Sequence, residues 1–367
     1  MPGGWSTTGA GQTPHWQGST LLPHLELSPA VAASGPKMSL QVADVQRRAD
    51  LIFEQVERAV LGKRPVLEVV LIGMLADGHV LLEDFPGLAK TLLARSFAQA
   101  MSLDFARVQF TPDLMPSDIT GSTIFDERSR DFDFRPGPIF ANLILADEIN
   151  RSPPKTQAAL LEAMQERQAT IEGVTHRLPR PFLVLATQNP IEYEGTYPLP
   201  EAQVDRFILR TSVGYPAQEE EEHMLKARLG RVQDEVRLDA VMDRHALLAC
   251  QAAVETVTVA DEMVSYITAL VRATRDNPKV QVGSSPRGSL SLLKLARARA
   301  ALSGRDFVVP EDVQELAVAS LAHRLTLRPE LWAQRIRPAD VIAECVHAVP
   351  VPPTLPAAMM SGKVDQY

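Results

Sequence analysis

The sequence contains little cysteine and no long apolar segment. Its only two cysteines, Cys250 and Cys345, are far apart and form no C-x-x-C pair. We therefore expect two separate buried thiols in a protein of the reducing cytoplasm, and the cysteine content excludes a disulfide framework. The most apolar run, "VVLIGMLA" at residues 69–76, is far shorter than the ~20 residues of a membrane-spanning helix. The sequence accordingly predicts no membrane span.

Basic residues are outnumbered by acidic ones. The chain has 37 Lys and Arg against 45 Asp and Glu, a formal net charge of −8. This balance argues against a protein whose main task is to bind nucleic acid. The 8 histidines are scattered and show no H-E-x-x-H spacing, so the sequence predicts no zinc or iron site built from them.

Composition divides the chain into four segments. Residues 1–37 are rich in Gly, Ser, Thr and Pro and lack a basic stretch leading into an apolar core. They predict a disordered tail and no secretory signal, with Met38 a candidate alternative start. Residues 38–215 alternate short apolar runs with helical stretches, which is typical of an α/β layer with a parallel sheet. We expect residues 216–330 to form an all-helical domain and residues 331–367 a partly irregular extension.

Five short apolar runs predict the strands of the sheet. They begin near His79, Arg107, Asn142, Phe182 and Phe207. Helical spacing of apolar residues predicts a helix directly after Lys90 and several more. These further helices are expected at residues 42–62, 65–76, 217–230, 238–250, 260–275, 285–303 and 310–323.

One loop resembles a phosphate-binding loop but departs from the general pattern G-x-x-x-x-G-K-[ST]. The stretch "EDFPGLAKT" at residues 83–91 lies between a predicted strand and a predicted helix, as the pattern requires. Lys90 and Thr91 are in place, whereas Asp84 and Ala89 stand where the two glycines belong. In such a loop the lysine reaches phosphate oxygens and the threonine hydroxyl binds Mg²⁺. The expected nucleotide-binding residues here are Asp84, Phe85, Pro86, Gly87, Leu88, Ala89, Lys90, Thr91 and Leu92.

Two later strands end in polar residues. "NLILADE" ends in Asp147 and Glu148, 57 residues after Lys90, and "FLVLATQNP" ends near Asn189. Ligands of open parallel sheets bind at the carboxyl ends of the strands. We expect Asp147 to help hold Mg²⁺, Glu148 to polarise an attacking water, and Asn189 to orient that water or contact the γ-phosphate.

Two arginines complete the set of candidates. Arg206 stands beside Asp205 just before the last predicted strand, and Arg287 lies near the start of a C-terminal helix. An arginine supplied by a neighbouring subunit stabilises transition-state charge in phosphoryl transfer, which we expect of Arg206. An ordinary salt bridge is the alternative. Arg287 is expected to reach the nucleotide from the helical domain.

The order of these parts is that of an AAA+ ATPase, and three blocks resemble the MoxR-type AAA+ ATPases closely. They are "FTPDLMPSDITGS", "FRPGPIFANLILADEINRSPPKTQAALLEAMQERQATI" and "PFLVLATQNPIEYEGTYPLPEAQVDRF". In that family the loop often reads E-D-x-P-G-x-[GA]-K-T. Asp84 and Ala89 therefore depart from the general pattern but fit the family, so a working loop is predicted.

The resemblance implies an AAA+ core with a five-stranded parallel sheet, doubly wound, and a C-terminal all-α lid. It implies ATP and Mg²⁺ as ligands, a ring homo-oligomer of six subunits, and chaperone-like remodelling of a protein client, in which von Willebrand A domain proteins are common partners. It also implies a hairpin with Gly173 at its turn and an inserted element in "DITGSTIFDERSRDFDFRPG". The implied roles are phosphate and Mg²⁺ binding for Lys90 and Thr91, the carboxylate pair for Asp147 and Glu148, sensor 1 for Asn189, a finger in trans for Arg206 and sensor 2 for Arg287.

Two other functions stay open at this point. A nucleotide-gated assembly scaffold would bind ATP and hydrolyse little, and the alanine at position 89 is the sequence feature that favours it. An AAA+ motor acting on nucleic acid is the second alternative, and the net acidity counts against it.

Overall fold

Apolar runs and helices alternate along the residues that the computed structural model describes, 40–128, 130–190, 195–231 and 236–353. The strands are β1 (Val80–Glu83), β2 (Phe105–Gln109), β3 (Gly121–Asp126), β4 (Asp131–Pro136), β5 (Leu143–Asp147), β6 (Gln168–Ile171), β7 (Val174–Arg177), β8 (Leu183–Gln188), β9 (Leu209–Thr211), β10 (Val280–Val282) and β11 (Thr326–Leu327). The α-helices are α1 (Val42–Glu57), α2 (Arg64–Leu75), α3 (Lys90–Ala100), α4 (Pro116–Thr120), α5 (Pro154–Glu166), α6 (Glu201–Val204), α7 (Gln218–Gly230), α8 (Arg244–Val254), α9 (Asp261–Asp276), α10 (Pro286–Leu302), α11 (Pro310–Leu321) and α12 (Pro338–Ala348).

The five predicted strands form one parallel sheet in the order β2-β5-β8-β1-β9. Successive residues of a strand point to opposite faces, so each strand supplies two apolar clusters. In β5, Leu143 and Leu145 join a cluster with residues of α1, α2 and α3, whereas Ile144 and Ala146 join a second cluster with residues of α5. Helices therefore cover both faces, and the prediction of a doubly wound α/β core is confirmed.

The register brings the ends of the chemically important strands to one edge of the sheet. Gln109 at the end of β2 lies opposite Asp147 at the end of β5. Glu83 at the end of β1 lies opposite Gln188 at the end of β8. Because all these strands are parallel, the polar residues that follow them begin side by side at the carboxyl edge.

The two elements expected from the family resemblance are both β-hairpins. β3 and β4 pair in antiparallel fashion from Gly121 opposite Pro136 to Asp126 opposite Asp131. β6 and β7 form the second hairpin, and Gly173 takes a positive φ of 82° in its turn. Glycine adopts this left-handed conformation without the steric cost that a side chain would add.

The C-terminal helices are continuous with the core. α10 packs against α1 and α2 as well as against α9 and α11. Its side chains Leu292, Leu295 and Ala296 are fully buried in the cluster that also contains residues of α1, α2 and α3. The C-terminal region is helical, as predicted, and its domain boundaries at residues 215 and 330 stay predictions.

Three local predictions in this region were wrong. The helix expected from residue 238 begins at Arg244, because the backbone N–H groups of Val241 and Met242 both bond to the Ala100 carbonyl and Asp243 caps the helix. The antiparallel pair β10–β11 was missed since strands of 3 and 2 residues show no alternation. Helix α12 was missed because its apolar face is short and a proline-rich stretch follows it.

Both cysteines are buried and unpaired, as expected. Burial raises the pKa of the Cys250 thiol to about 11, so it packs as a small apolar side chain. None of the described helices is long and apolar enough to cross a membrane. The expectations for residues 1–37 and 354–367 lie outside the described residues.

A buried histidine just before β1 forms hydrogen bonds with β8 and α5. His79 precedes β1, its Nδ1 accepts the N–H of Val184 in β8 at 3.1 Å, and its Nε2 donates to the carbonyl of Met164 in α5 at 3.2 Å. The ring is 5% exposed, and burial lowers the pKa of His79 to about 3. The neutral imidazole is the form that makes both contacts.

We expect His79 to make the fold acid-sensitive. The unfolded chain takes up a proton near pH 6.5 and the folded chain only near pH 3, so stability rises with pH between these values, is complete above 6.5 and is lost as pH falls. The slope from one such group is about 1.4 kcal/mol per pH unit. Urea unfolding of His79→Gln between pH 4 and 7 should show a slope smaller by about this amount. Replacing the exposed His223 by Gln should leave the slope unchanged; equal slopes for both variants would contradict the assignment.

Candidate functional site

The loop at 84–89 closes around its own lysine. Lys90 is the first residue of α3 and is 8% exposed. Its Nζ donates to the carbonyls of Asp84 at 2.8 Å and Phe85 at 3.0 Å. Burial lowers the pKa of Lys90, and the charges of Asp84, Asp147 and Glu148 oppose that shift. The ammonium group therefore lies at the centre of the loop with acidic groups around it.

Asp84 points away from the phosphate side of this loop. Its carboxylate accepts the backbone N–H groups of Val213 at 2.5 Å and Gly214 at 2.8 Å, and one oxygen also accepts the N–H of Phe85 at 3.2 Å. The side chain is 5% exposed. An aspartate at the position of the first glycine thus ties the loop to the segment after β9 and puts no charge into the cleft.

The alanine at the second glycine position takes the conformation that glycine would. Ala89 has φ 55° and ψ 18°, in the left-handed region. A non-glycine residue there costs roughly 1–3 kcal/mol, which the surrounding contacts must offset. Gly87 also has a positive φ, 82°, and a side chain added there would meet no atom within 4 Å. The loop therefore keeps an open cradle despite its two departures from the general pattern.

A buried threonine contacts both acidic residues at the end of β5. The Thr187 hydroxyl in β8 donates to Asp147 Oδ1 at 2.7 Å and accepts the Glu148 N–H at 2.8 Å. Arg107 in β2 binds the other oxygen, Asp147 Oδ2, through Nη2 at 2.8 Å and Nε at 3.1 Å. Asp147 is consequently fixed from both neighbouring strands.

Glu148 is held by side chains on either side of it. Its Oε2 accepts the Gln109 amide at 2.9 Å and the Arg151 guanidinium at 3.0 Å. Gln109 in turn accepts Arg107 Nη2 at 2.7 Å. Glu148 has φ 55°, a left-handed backbone that turns its side chain out of the strand direction. The carboxylate therefore stands at the rim of the cleft within a polar network.

These groups share one cavity of about 430 Å³. It is lined by Pro86, Gly87, Leu88, Ala89, Lys90, Thr91, Leu92, Arg107, Gln109, Asp147, Glu148 and Asn189. Backbone N–H groups at a helix N-terminus and a lysine suit phosphate. The Thr91 hydroxyl and Asp147 carboxylate are oxygen donors of the kind Mg²⁺ takes. The residues present thus fit a nucleotide with its Mg²⁺.

The two predicted arginines lie elsewhere, together in a second cavity of about 340 Å³. Arg206 and Arg287 line it with Asp205, and neither lines the cleft of the phosphate loop. Arg206 makes no ion pair with any described residue, and its Nε is buried without an acceptor. Asp205 binds Arg324 instead, Nε to Oδ1 at 2.6 Å. Among the described residues Arg206 therefore forms no ordinary salt bridge, and its role stays a prediction.

Several residues of the site were missed from the sequence. Arg107 and Gln109 lie two apart on β2 and so face the same side of the sheet, but a short polar alternation is also typical of any surface strand. Thr187 lies inside an apolar run and carries no separate signal. Arg324 lies 119 residues from the aspartate that it binds.

Comparison with known proteins agrees with this geometry. The family described as "ATPase family associated with various cellular activities (AAA)" matches residues 79–209. The AAA lid domain family matches residues 272–345, which includes most of α12. A crystal structure of a proposed ATPase from Cytophaga hutchinsonii superimposes with a TM-score of 0.79 at 39% identity, covering 85% of this chain and 97% of that one.

Curated relatives extend over most of the sequence. The chain is 44% identical over 319 residues to Chaperone MoxR1 of Mycobacterium tuberculosis, covering 84% of each chain. It is 47% identical over 299 residues to the uncharacterised YeaC protein of Bacillus subtilis, covering 82% of this chain and 93% of the relative. Identity to the MoxR protein of Methylorubrum extorquens is 32% over 328 residues, 83% and 94% of the two chains. This chain belongs to the MoxR-type AAA+ ATPases.

Proposed function

We propose that this protein is a Mg²⁺-dependent ATPase that works as a cytoplasmic ring of identical subunits, six in number, and couples hydrolysis to chaperone-like remodelling of a protein client. The observation that carries the proposal is the division of catalytic groups between two cavities of one chain. The phosphate loop and carboxylates line one cavity, and both arginines line the other.

The first cavity supplies the groups that hold ATP. Lys90 offers a buried ammonium group to the β- and γ-phosphates, and the N-terminus of α3 offers backbone N–H groups. Thr91 and Asp147 would bind Mg²⁺, which would neutralise charge on the phosphates. For Lys90 to reach a phosphate it must exchange its present acceptors, the carbonyls of Asp84 and Phe85, for phosphate oxygens.

Glu148 and Asn189 would handle the attacking water. Both line the cleft beyond the lysine. Glu148 accepts the proton as water attacks the γ-phosphate, and Gln109 and Arg151 hold its carboxylate until then. Asn189 offers an amide that orients the water or contacts the γ-phosphate.

The second cavity would receive the nucleotide of the next subunit. Arg206 and Arg287 do not line the cleft of their own subunit, and both line a separate cavity. A ring places the cleft of one subunit against the opposite face of its neighbour, which is a heterologous interface that closes by rotation. In that arrangement Arg206 acts as the finger and Arg287 as the second sensor in trans.

The proposed chaperone role rests on a relative, and the proposed class of client rests on the resemblance to the family. Chaperone MoxR1 is named as a chaperone and shares 44% identity with this chain, which supports chaperone-like remodelling here. A von Willebrand A domain protein is the expected class of client, by resemblance to the family. Two unpaired buried cysteines fit a reducing compartment such as the cytoplasm.

Hydrolysis is favoured over a scaffold role by the loop itself. The scaffold alternative rests on the alanine at position 89, yet Ala89 adopts the left-handed conformation that the loop needs. Asp84 likewise leaves the cleft free of its charge because its carboxylate binds Val213 and Gly214. The loop therefore has the form of a working one.

Restoring the glycine of the general pattern at position 84 should lower the free energy of unfolding. Asp84→Gly removes the acceptor of three backbone N–H groups, and each buried donor left without a partner costs about 1–3 kcal/mol. Urea unfolding should report a loss in that range or larger, and Asp84→Asn, which keeps one acceptor oxygen, should lose less. An unchanged free energy of unfolding for Asp84→Gly would show that the hydrogen bonds of the Asp84 carboxylate do not stabilise the fold.

Substitutions in the cleft should separate binding from hydrolysis. Lys90→Ala should abolish ATP binding because it removes the only buried ammonium group among the described cleft residues. Glu148→Gln should leave ATP bound and unhydrolysed, since the amide keeps the shape but cannot accept the water proton. Titration with a fluorescent ATP analogue and a phosphate-release assay distinguish the two. ATP hydrolysis at the normal rate by Glu148→Gln would exclude this residue as the base.

The finger in trans predicts turnover that depends on assembly. The rate per subunit should rise with protein concentration, and Arg206→Ala should lower it on the order of 10³-fold or more while ATP binding is spared. Phosphate release measured from nanomolar to tens of micromolar protein tests this, with Glu148→Gln as the inactive control. A negligible rate at every concentration with ATP still bound would favour the scaffold, and normal turnover by Arg206→Ala would exclude action in trans.

A further inference from the structure

Arg324 is a buried arginine that the proposed chemistry does not use. It ends the short 3-10 turn Ala322–Arg324 after α11, and its side chain is 2% exposed. It is not among the residues that line either of the two cavities. Its Nε donates to Asp205 Oδ1 at 2.6 Å. Burial lowers the pKa of Arg324, and the hydrogen bond and charge of the Asp205 carboxylate oppose that shift.

The rest of the guanidinium group holds the backbone around Arg206. Nη2 donates to the carbonyl of Asp205 at 3.3 Å and to that of Phe207 at 2.8 Å, the residues immediately before and after Arg206. Nη1 donates to the carbonyl of Ile208 at 3.3 Å. His323 adds a second contact to the Phe207 carbonyl at 3.2 Å. The direction in which Arg206 leaves the chain is therefore set by a side chain of the C-terminal region.

The same carboxylate also faces the second arginine. Asp205 Oδ2 accepts the Ser285 hydroxyl at 3.3 Å and lies 3.9 Å from Arg287 Nη1. Ser285 caps α10 by accepting the Arg287 N–H at 3.2 Å. One oxygen of Asp205 thus binds Arg324 and the other faces the helix start that carries Arg287.

Close packing supports this arrangement. Gly288 lies in the first turn of α10, and a Cβ there would lie 3.1 Å from Leu321 Cδ2 and 3.4 Å from Arg324 Cδ. The start of α10 therefore lies directly against the stem of Arg324. We call the contacts of Arg324 with Asp205 and with the carbonyls flanking Arg206 the Arg324 clamp. The clamp joins three parts of the chain: the loop before β9, the start of α10 and the end of α11.

We propose that Arg324 is a positioning residue that, through Asp205 and the carbonyls flanking Arg206, fixes Arg206 and Arg287 relative to each other for action on the neighbouring subunit. The inference rests on the proposed function, in which both arginines act in trans. A buried ion pair adds little net stability compared with apolar packing, and its attested use is to specify one geometry. Arg324 thereby makes the orientation of the C-terminal helices a condition for catalysis at the neighbour's site.

The test is Arg324→Lys, which keeps the charge but replaces a planar fork of five donors by a single ammonium group. All donors of an ammonium group lie on one atom, so it does not reproduce the contacts that Arg324 makes from Nε, Nη1 and Nη2. Displacement of a catalytic group by about 1 Å costs on the order of 10²-fold in rate, so we expect a fall in kcat of that order with little change in KM. Affinity for a fluorescent ATP analogue, measured in the Glu148→Gln background, should stay within about twofold because the first cavity is untouched.

Arg305→Lys is the matched control. Arg305 binds the buried Asp312 through two contacts at 2.9 and 2.5 Å in the same helical region. It lines neither cavity among the described residues. We expect it to lower the melting temperature at least as much as Arg324→Lys does and to leave kcat near that of the unaltered protein. A kcat reduced equally in both variants would mean that general loosening, and not positioning, is responsible, and would overturn the proposal.

Mixed rings give the decisive readout. Arg324→Lys subunits keep an intact cleft, and Glu148→Gln subunits keep intact arginines, so mixing the two should raise turnover above that of either protein alone. No gain on mixing, or a loss of ATP affinity in Arg324→Lys, would overturn the proposal. If Arg324→Lys does not fold, Asp205→Asn should show the same gain. Normal turnover by Arg206→Ala would refute the proposed function itself, whereas a defective Arg206→Ala beside a normal Arg324→Lys would refute only the clamp.

Discussion

The structure depends on the parallel register of five strands. Gln109 lies opposite Asp147 and Glu83 lies opposite Gln188, so the residues that follow β1, β5 and β8 meet at one edge. A shift of one residue in β5 would exchange its two apolar clusters and turn Asp147 to the other face. All of β5 and all of β8 except its last residue are buried, so packing on both faces opposes such a shift. Packing of the sheet therefore fixes the position of the two carboxylates that we propose for catalysis before any ligand is present.

Given this register, each charge at the edge needs polar partners. Lys90 is buried, and Asp147 is bound by Arg107 and Thr187. A buried charge without a partner would cost several kcal/mol, whereas a charge with a complete set of hydrogen bonds does not. Each partner here is a group that phosphate, Mg²⁺ or water can replace. The protein thus keeps a stable polar edge whose contacts are exchangeable, which suits a site that fills and empties repeatedly.

The sequence was most informative where a local pattern and a chemical group coincide. Each of the strands β5 and β8 is an apolar run that ends in polar residues, so both the strand and the place of its side chains could be predicted. The direction in which a side chain points was harder to predict. Nothing local indicates that the Asp84 carboxylate binds Val213 and Gly214, since those residues lie 129 and 130 positions away. Contacts between residues so far apart in sequence depend on how the fold brings distant loops together. The periodicity of a single sequence carries no information about such contacts.

The division of the site between two cavities also explains why an arginine needs a rigid support. In the proposed ring, a subunit binds ATP by itself but stabilises the transition state only at its neighbour's cleft. Immobilising an arginine side chain costs about 2 kcal/mol of rotamer entropy, and fixing a mobile backbone would add roughly 1–2 kcal/mol per residue. The contacts of Arg324 avoid the backbone cost on assembly, because the carbonyls on both sides of Arg206 are already held. What remains for assembly is the ordering of one side chain. A helical region that moves relative to the core would release this clamp, so the same contact that speeds catalysis makes it sensitive to the position of the C-terminal helices.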